Sequence, residues 1–553
     1  MNKKILEIAF FLMAVSMLAT VFSAGAKKAD YSLNGIGKVL VRGSPIDGAN
    51  GIMFDGEDRL YIASISGEEI VVMDPKSGNI LERIPASGPD DLTFGPDGSL
   101  YYTSIMDGFV FRVSPDGTTT SQYVAPGVNP ITFSADGRLF VACDFLGDGL
   151  YELDPELVDP PVQIAGPPLT PLLGFLNGMD FGPDGLLYAP VWLFHEVVSI
   201  DVDDFTYPML TVCDEAFGIT AAVKFDSQGR LYVADQMKGE ISRVDIVSGE
   251  KEIIATGLFG LDNLAFDSHD QLYVSSAQDG SIFEVLPSGE TRMISKGGFI
   301  SPSGVAVVAD SHAGESVFVA DGWALREFDG LTGRAESIER SWIAMPGSIT
   351  APGTVSADGY NLILSSILGS AVQMWDPQTG TGVTIKNYMG TPMIPLNAIK
   401  FGSEIVIAEL GADSQRVIRA SDDFVIADIY GVPIGLAAIG DNLYVADWAL
   451  GWVVQIVTNG VPTYVPVATG LSNPEGLAVD LDGNLLVVES GVGRVSRINL
   501  GTGVVTTLVE GLELGSTSSA IPWGNFNGLA VGSTGYIYVT GDVANVLYRL
   551  KPA

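Results

Sequence analysis

A recurring unit of about 43 residues constrains the fold of this chain more than any other feature of its sequence. The clearest copy, Glu475 to Gly503, reads EGLAVDLDGNLLVVESGVGRVSRINLGTG. It contains three short runs rich in Val, Leu and Ile, each bounded by Gly, Asp or Asn, as is typical of β-strands. Asp482-Gly483 joins the first two runs as a tight hairpin, because glycine tolerates positive φ. A fourth run, VVTTLVEG, follows, so the unit predicts a four-stranded antiparallel meander.

The second strand of this unit can be followed along the whole chain. Its copies begin at Leu60, Leu100, Leu139, Leu187, Leu231, Leu272, Val317, Leu362, Ile405, Leu443, Leu485 and Ile537. Radially repeated four-stranded sheets predict a β-propeller, which usually has about four to eight blades. Because twelve blades exceed that range, we expect an all-β chain with two tandem six-bladed β-propellers. A division into seven and five blades, or a single large ring, is the alternative.

The two ends of the chain suggest how each ring closes, since closure removes open sheet edges. The chain ends after the third strand of its last copy, and it carries a spare strand at Lys38–Arg42. We expect this spare strand to complete the blade whose first three strands end near Leu286. Thr291–Ser295 would then open the second ring and pair with Val546–Leu550. The expected propellers therefore span residues 32–288 and 289–553.

The N-terminus has the pattern of a secretory signal over residues 1–26. Lys3 and Lys4 form a positive start, Ile8 to Phe22 an apolar run, and Ala24-Gly25-Ala26 a small-residue cleavage site. An uncleaved membrane anchor is the alternative, although the run is short for a spanning helix. We expect an exported protein, periplasmic, extracellular or at the cell surface, with no transmembrane segment once the signal is removed.

Charge and cysteine content exclude several classes of function. The formal net charge of −37 becomes −38 when two Lys and one Glu leave with the signal, so nucleic acid and anionic lipid are not expected partners. Cys143 and Cys213 fall in different strands of neighbouring repeats, which predicts two separate buried thiols. No sequence pattern supports a nucleotide, haem or quinone cofactor.

Two positions in each repeat should face the funnel of a propeller, where ligands bind. The first precedes the inner strand, as at Asn50, Asp90, Asn129, Asn177, Asn263, Ser303, Asn397, Glu475 and Asn527. The second ends the second strand or begins its exit loop, as at Ser64, Ser104, Asp144, Asp235, Asp321, Glu409, Asp447 and Glu489. Each of these residues has a purely structural alternative, because Asn and Gly make turns and Asp caps loops.

The segments NGMDFGPDGLLYAP, NGLAVGSTGYIYVT and EGLAVDLDGNLLVVE resemble the superfamily of gluconolactonase and luciferin-regenerating enzyme, with NHL-repeat and streptogramin-lyase propellers as relatives. This resemblance implies one divalent metal (Ca²⁺, Mg²⁺ or Zn²⁺) at the channel mouth, held by oxygen ligands. Carried over position by position, it implies Asn129 and Asn177 as metal ligands in the first ring. Asn50 stands where the family has a first-blade Glu, and Thr220-Ala221 where it has a later Asp.

Two groupings point to binding sites. In the first ring, the apolar insertion Pro167–Leu176 and the residues Trp192, Phe194 and His195 should meet over the funnel, beside Asn129, Asn177 and Asp144. His195 is the imidazole in position to act as a base there. A hydrophobic plug or a ring-to-ring contact is the alternative.

In the second ring, second strands end in Asp321, Glu409, Asp447 and Glu489, against Asp235 alone in the first ring. Trp323, Trp448 and Trp523 fall in loops of the same face, and Glu475 precedes an inner strand. An acidic funnel with indole platforms suits a cation, a sugar or a cationic peptide. Independent loop caps with surface tryptophans are the alternative.

These features predict an exported protein whose funnels bind a small molecule, a carbohydrate or an envelope or extracellular protein without catalysis. The alternative is a metal-dependent hydrolase of the lactonase type, with Asn129 and Asn177 as ligands, Asp144 assisting and His195 as base. A purely architectural propeller is the third hypothesis.

Overall fold

The computed structural model describes residues 37–204, 209–213, 217–309, 314–342, 347–412, 414–515 and 526–551. In these residues the protein is built from 48 β-strands and one short 3₁₀ turn, Ser490–Val492. The strands form twelve four-stranded antiparallel sheets, as the repeat predicted. No helix in this part of the chain is long and apolar enough to span a membrane. The signal pattern of residues 1–26 lies outside the described residues.

The first ring comprises residues 44–300 and contains six sheets, each made of four consecutive strands. They are β2 (Ala49–Phe54), β3 (Leu60–Ser64), β4 (Glu69–Met73), β5 (Ile80–Pro85); β6 (Pro89–Phe94), β7 (Leu100–Ser104), β8 (Phe109–Val113), β9 (Thr119–Tyr123); β10 (Val128–Phe133), β11 (Leu139–Cys143), β12 (Gly149–Leu153), β13 (Val162–Ala165); β14 (Asp180–Phe181), β15 (Leu187–Val191), β16 (Glu196–Ile200), β17 (Leu210–Thr211); β18 (Thr220–Phe225), β19 (Leu231–Asp235), β20 (Glu240–Val244), β21 (Lys251–Ala255); and β22 (Leu261–Phe266), β23 (Leu272–Ser276), β24 (Ile282–Val285), β25 (Thr291–Ser295).

The second ring comprises residues 301–551 together with the N-terminal strand β1 (Gly37–Arg42). Its strands are β26 (Pro302–Ala309), β27 (Glu315–Asp321), β28 (Ala324–Asp329), β29 (Ala335–Arg340); β30 (Thr354–Asp358), β31 (Asn361–Ser366), β32 (Ala371–Asp376), β33 (Thr381–Asn387); β34 (Met393–Phe401), β35 (Glu404–Gly411), β36 (Gln415–Arg419), β37 (Val425–Asp428); β38 (Pro433–Ile439), β39 (Asn442–Asp447), β40 (Trp452–Thr458), β41 (Val461–Ala468); β42 (Pro474–Val479), β43 (Leu485–Glu489), β44 (Arg494–Ile498), β45 (Val505–Glu510); and β46 (Leu529–Val531), β47 (Ile537–Gly541), β48 (Val546–Leu550).

The closure of the rings differs from the expected one. β1 pairs with β48 in the second ring, and β25 stays with β24 as the outer strand of the sixth blade. The expected exchange of these two outer strands was therefore wrong. The chain leaves the second ring after Gly43, completes the first ring, and returns at Ser301. The first ring is thus inserted between the outer strand and the remaining strands of the second, and it needs no exchanged strand to be complete.

A bulge interrupts the pairing of the inner strand with the second strand in most blades. In the first blade, Ala49 pairs with Ser64 and Ile52 with Ile62, so Asn50 and Gly51 lie opposite one residue. A Cβ on Gly51 would lie 2.6 Å from the Asp91 Cα of the neighbouring inner strand. We call Asn50 the first bulge residue and Gly51 the second. In this blade the second is glycine because the inner strands approach closely here, whereas the first is free to carry a side chain.

Side chains seal each ring where its first and last blades meet. In the first ring, the Ser275 hydroxyl donates to the Asn50 carbonyl at 2.5 Å. In the second, the buried Glu315 carboxylate accepts from the Thr534 N–H at 2.9 Å and the Tyr538 hydroxyl at 3.0 Å. Between blades, the cores are apolar side chains of adjacent sheets. Cys143 and Cys213 are buried free thiols, as predicted.

Removal of β1 should weaken the second ring and leave the first intact. A chain that begins at residue 43 exposes the edge of β48, and we expect the amides of Val546–Leu550 to exchange at least ~10-fold faster with deuterium. Amides of β23 in the first ring are expected to keep their protection. A chain that begins at residue 32 is the control. Equal loss of protection in both rings would contradict a separately closed first ring.

Candidate functional site

The first bulge residues of the first ring form a polar circle at its channel. They are Asn50, Asp90, Asn129, Asn177, Ala221 and Asp262, each set by the register of its inner and second strands. Five of the six are Asn or Asp. In the sixth blade the first bulge residue is Asp262, whereas the residue expected there was the following one, Asn263. The segment LDN at 261–263 aligns with PDD at 89–91 and LNG at 176–178, and this alignment marks Asp262.

Hydrogen bonds join residues of this circle in two groups, Asn50 with Asp90 and Asn129 with Asp144 and Asn177. The Asn50 amide donates to Asp90 Oδ1 at 2.7 Å, and the Asn129 amide donates to Asp144 Oδ2 at 2.8 Å. Asn129 also lies 3.3 Å from Asn177 Oδ1. The structure therefore brings together the three predicted residues Asn129, Asn177 and Asp144. Among the described residues, two buried carboxylate atoms of this region, Asp90 Oδ2 and Asp144 Oδ1, have no hydrogen-bond partner.

The carboxylates of this region oppose one another electrostatically. Burial, then repulsion by Asp144, Asp262 and Asp91, raises the pKa of Asp90 well above its ordinary value. The pKa of Asp144 is likewise raised well above its ordinary value, first by burial. Burial and the charge of Asp91 raise the pKa of Asp262 to about 7. Unlike Asp90 and Asp144, Asp262 is partly exposed, so solvent reaches it.

Asp91 has a structural role beside this circle. Its carboxylate accepts from the Ile131 N–H at 3.1 Å and from the Asn263 amide at 3.0 Å, and so links three inner strands. Burial raises its pKa to about 6, against the opposing effect of these hydrogen bonds and of Lys224. Asp91 is a polar connector of the channel wall, because its oxygen atoms are already used.

An aromatic rim lies along one side of the circle. We define it as Phe145, Phe175, Trp192 and Phe194. Phe145 lies 5.1 Å from Trp192 and 6.0 Å from Phe175 between ring centroids. The Trp192 N–H donates to the Phe175 carbonyl at 3.0 Å, which ties the exit loop of the fourth blade to the apolar insertion. The predicted meeting of insertion, exit loop and polar residues is thus present in the structure.

Three residues in or beside this rim have a left-handed backbone conformation. Phe145, Phe175 and His195 have φ of 49°, 67° and 60°. Bulky residues rarely adopt this left-handed conformation, which costs about 1–3 kcal/mol each and tends to occur at functional sites. Asp148 holds the insertion by accepting from the N–H groups of Leu173 and Phe175 at 2.6 and 3.1 Å.

His195 and Asp235 meet through the loop at Gly218. The exposed His195 ring contacts the Gly218 carbonyl through Nδ1, which leaves Nε2 toward its other side. The buried Asp235 carboxylate accepts from the N–H groups of Gly218 and Ile219 at 2.6 and 3.2 Å. Asp235 therefore fixes the loop that His195 contacts. The hydrogen bonds described above for the Asn–Asp circle include neither residue.

The channel of the second ring is chemically different. The residues at the corresponding places are the bulge residues Ser303, Leu396, Ile434 and Glu475, together with Gly353 and Asn527, which precede inner strands whose pairing has no bulge. Below them lies a cavity of about 250 Å³ lined mainly by Gly, Ala, Val and Leu. Glu475 accepts from the Asn527 N–H at 2.7 Å, and burial with repulsion by Asp542 raises its pKa to about 8.

The second-strand carboxylates of the second ring do not form the expected open acidic funnel. Asp321, Glu409, Asp447 and Glu489 are fully buried. Asp321 pairs with Arg326 at 2.5 Å, Glu409 with Arg416 at 2.8 Å and Glu489 with Arg494 at 2.7 Å.

Asp447 has no arginine partner among these pairs and caps a loop instead. Its carboxylate accepts from the Gly431 N–H at 2.9 Å and the Val432 N–H at 3.1 Å. The structure thus corrects the funnel hypothesis, because these four carboxylates are satisfied within their own blades. Trp323 and Trp448 are half-buried in exit turns, and Trp523 lies outside the described residues.

The first-ring circle suits a hard cation by its chemistry. In the described part of the chain, no group of three His, Cys, Asp or Glu side chains is already arranged to hold a metal ion. The circle instead offers two carboxylates with unpartnered oxygens, together with the amides of Asn50, Asn129 and Asn177. Carboxylate and amide oxygens are ligands that Ca²⁺ accepts in flexible numbers.

Comparison with known proteins found similarity to solved structures only, at low sequence identity. No profile of a known protein family matches the chain, and no curated sequence matches it significantly. Among solved structures, it is similar to a streptogramin B lyase (TM-score 0.37, 14% identity, 52% of this chain and 94% of that one). It is similar to a gluconolactonase from Xanthomonas campestris (TM-score 0.35, 14% identity, 47% and 95%). It is also similar to a protein described as the extracellular domain of a hybrid two component system of B. thetaiotaomicron (TM-score 0.32, 12% identity, 95% and 83%).

The buried carboxylates predict how stability depends on pH. Folding raises the pKa of Asp262 from 3.8 to about 7 and that of Glu475 from 4.5 to about 8. A carboxyl whose pKa is raised on folding contributes stability below its unfolded pKa, and this is lost as pH rises through the folded value. The melting temperature of the cation-free protein should therefore fall by a few degrees between about pH 5 and pH 8. A melting temperature that rises over this interval would contradict the burial of these groups.

Two neighbouring aspartates should respond oppositely to substitution. At about pH 8, Asp262→Asn removes a repelled charge and is expected to keep or raise stability. Asp91→Ala leaves the Ile131 N–H and the Asn263 amide unpaired and should cost about 2–4 kcal/mol. Urea unfolding of both variants at this pH measures the difference. A large loss in Asp262→Asn would assign it a structural role instead.

Proposed function

We propose that this protein is an exported recognition protein whose first-ring funnel binds a divalent cation, and through it a small ligand, without catalysis. The observation that supports this most strongly is the pair of buried, unpartnered oxygens, Asp90 Oδ2 and Asp144 Oδ1. A buried polar atom without a partner is costly, and a carboxylate most of all. Bound cations remove that cost and lower the raised pKa values of the surrounding aspartates.

Ca²⁺ is the cation we favour. The donors are oxygen atoms only, and Asn129 and Asn177 add amides to the carboxylates of Asp90 and Asp144. Zn²⁺ prefers nitrogen and sulfur ligands in a closed tetrahedron. His195 contacts the Gly218 carbonyl rather than the circle, which makes it a poor Zn²⁺ ligand here. Mg²⁺ requires near-ideal octahedral geometry and keeps several waters, so it fits a largely buried set less well.

Calorimetric titration of the chelator-treated protein with Ca²⁺ at about pH 8 tests this proposal. We expect one site, a higher melting temperature on binding, and at least ~100-fold weaker binding in Asp90→Asn/Asp144→Asn, because affinity follows ligand charge. Asp116→Asn/Asp136→Asn, which removes two charges from exposed hairpins of the same ring, is the matched control. Equal weakening in both double variants would show non-specific attraction and contradict the proposal.

A lactonase-type hydrolase is the second candidate, supported by Asp262. This carboxylate is partly exposed beside the circle, and its pKa of about 7 suits a proton acceptor at neutral pH. Under this alternative, Ca²⁺-loaded protein hydrolyses lactones, and Asp262→Asn abolishes turnover while cation binding persists. Under our proposal, a pH-stat assay with gluconolactone shows no turnover above the buffer rate. Loss of turnover in His195→Ala instead, with cation binding retained, would assign the base to His195.

A further inference from the structure

The aromatic rim lies directly beside the polar circle in sequence and in space. Phe145 follows Asp144, and Phe175 precedes Asn177 by two residues. The Asn177 N–H donates to the Pro190 carbonyl at 3.2 Å, just before the loop that carries Trp192 and Phe194. A ligand seated on the circle therefore meets the rim at once.

Part of the rim is open to solvent although its neighbours are buried. Phe194 is 47% exposed and packs against Gly174, while Leu173 and Phe175 beneath it are buried. Trp192 is half-buried, with Phe145 set edge-on to its ring. The insertion is held in this position by Asp148 against the strain of its left-handed residues. The surface is thus both apolar and fixed, which limits the entropy lost when an apolar group binds.

The charge of the circle restricts the ligand further. The circle and the adjoining Asp91 bring four carboxyl groups to the channel, Asp90, Asp91, Asp144 and Asp262, and one divalent cation balances only two negative charges. An anionic ligand would be repelled, whereas a neutral carbonyl or hydroxyl oxygen can complete the coordination of the cation. Lactones and esters without an apolar group would leave the rim unused.

We infer that the ligand of the first ring is an uncharged carbonyl compound that carries an aromatic or comparable apolar group against the Phe145–Trp192–Phe194 surface. This inference rests on the proposed function, since the cation orients the carbonyl oxygen. The inference adds the class of ligand to the proposed function. It also distinguishes this funnel from one that binds a free sugar. An apolar rim with a few polar groups is the usual composition of a small-molecule site.

Benzyl acetate and ethyl acetate are a suitable probe pair, because they share the carbonyl and differ by one phenyl group. With Ca²⁺ saturating, we expect benzyl acetate to bind about tenfold tighter, measured by ligand-observed NMR titration. Trp192→Ala/Phe194→Ser should remove this preference while Ca²⁺ binding stays unchanged. The milder Phe194→Ser should reduce the preference partly. Tyr360→Ser, an exposed aromatic of the second ring, is the control and should change nothing.

Several results would overturn the inference. Equal binding of the two esters, or a preference that persists in the rim variant, would show that the rim does not contact the ligand. A wild-type dimer that becomes monomeric in the rim variant, seen by sedimentation, would make the rim a protein contact instead. If Ca²⁺ does not bind at all, the proposed function fails separately. A phenyl preference that the rim variant abolishes without Ca²⁺ would then still support the rim as the ligand contact.

Discussion

The close approach of six inner strands around each channel is the constraint on which the rest of the molecule depends. Where neighbouring strands crowd together, as Gly51 does against Asp91, the second bulge residue has no room for a side chain. The first bulge residue then carries the side chain at the channel mouth. Where the second bulge residue has a side chain, as at Asp91 and Asn263, that side chain links neighbouring inner strands. The bulge therefore sets both the register of the blade and the polar groups that face the channel.

The fold could be predicted from the sequence because each blade repeats the same local signals. Alternating strands, Asp-Gly hairpins and the period of about 43 residues all indicate the same fold. A fold can be predicted from the sequence when its local and its long-range signals agree in this way. Ring closure was predicted wrongly for a physical reason. Both β1 and β25 are suitable outer strands, and either exchange seals two rings of six blades. Local sequence does not decide between partners that lie more than 200 residues apart.

The candidate site was predictable in part. Asn129, Asn177 and Asp144 were found because each stands at a recognisable place in the repeat, and the structure joins them. Asp262 was missed by one residue, since the sequence LDNLAF offers two adjacent polar residues, and strand register shows that the first of them is the first bulge residue. The rim was predicted from the length and composition of the insertion. Its geometry depends on hydrogen bonds to Asp148 and on left-handed backbone conformations, which the sequence pattern does not predict.

A neighbouring arginine distinguishes the carboxylates that have a structural role from those that are available to bind a cation. Glu409 and Glu489 lie directly opposite Arg416 and Arg494 on the third strand, and Asp321 reaches Arg326 from the same hairpin. A buried carboxylate with its own guanidinium is already compensated, so little is gained by binding a further cation. In the first ring, Asp235 stands at the same place in its blade and likewise holds its own loop, through the N–H groups of Gly218 and Ile219. Asp144 lies one residue beyond this position, after Cys143, and its principal partner is the neutral amide of Asn129. One of its oxygens has no hydrogen-bond partner among the described residues, so a shift of one residue separates a carboxylate that holds a loop from one that is available to a ligand.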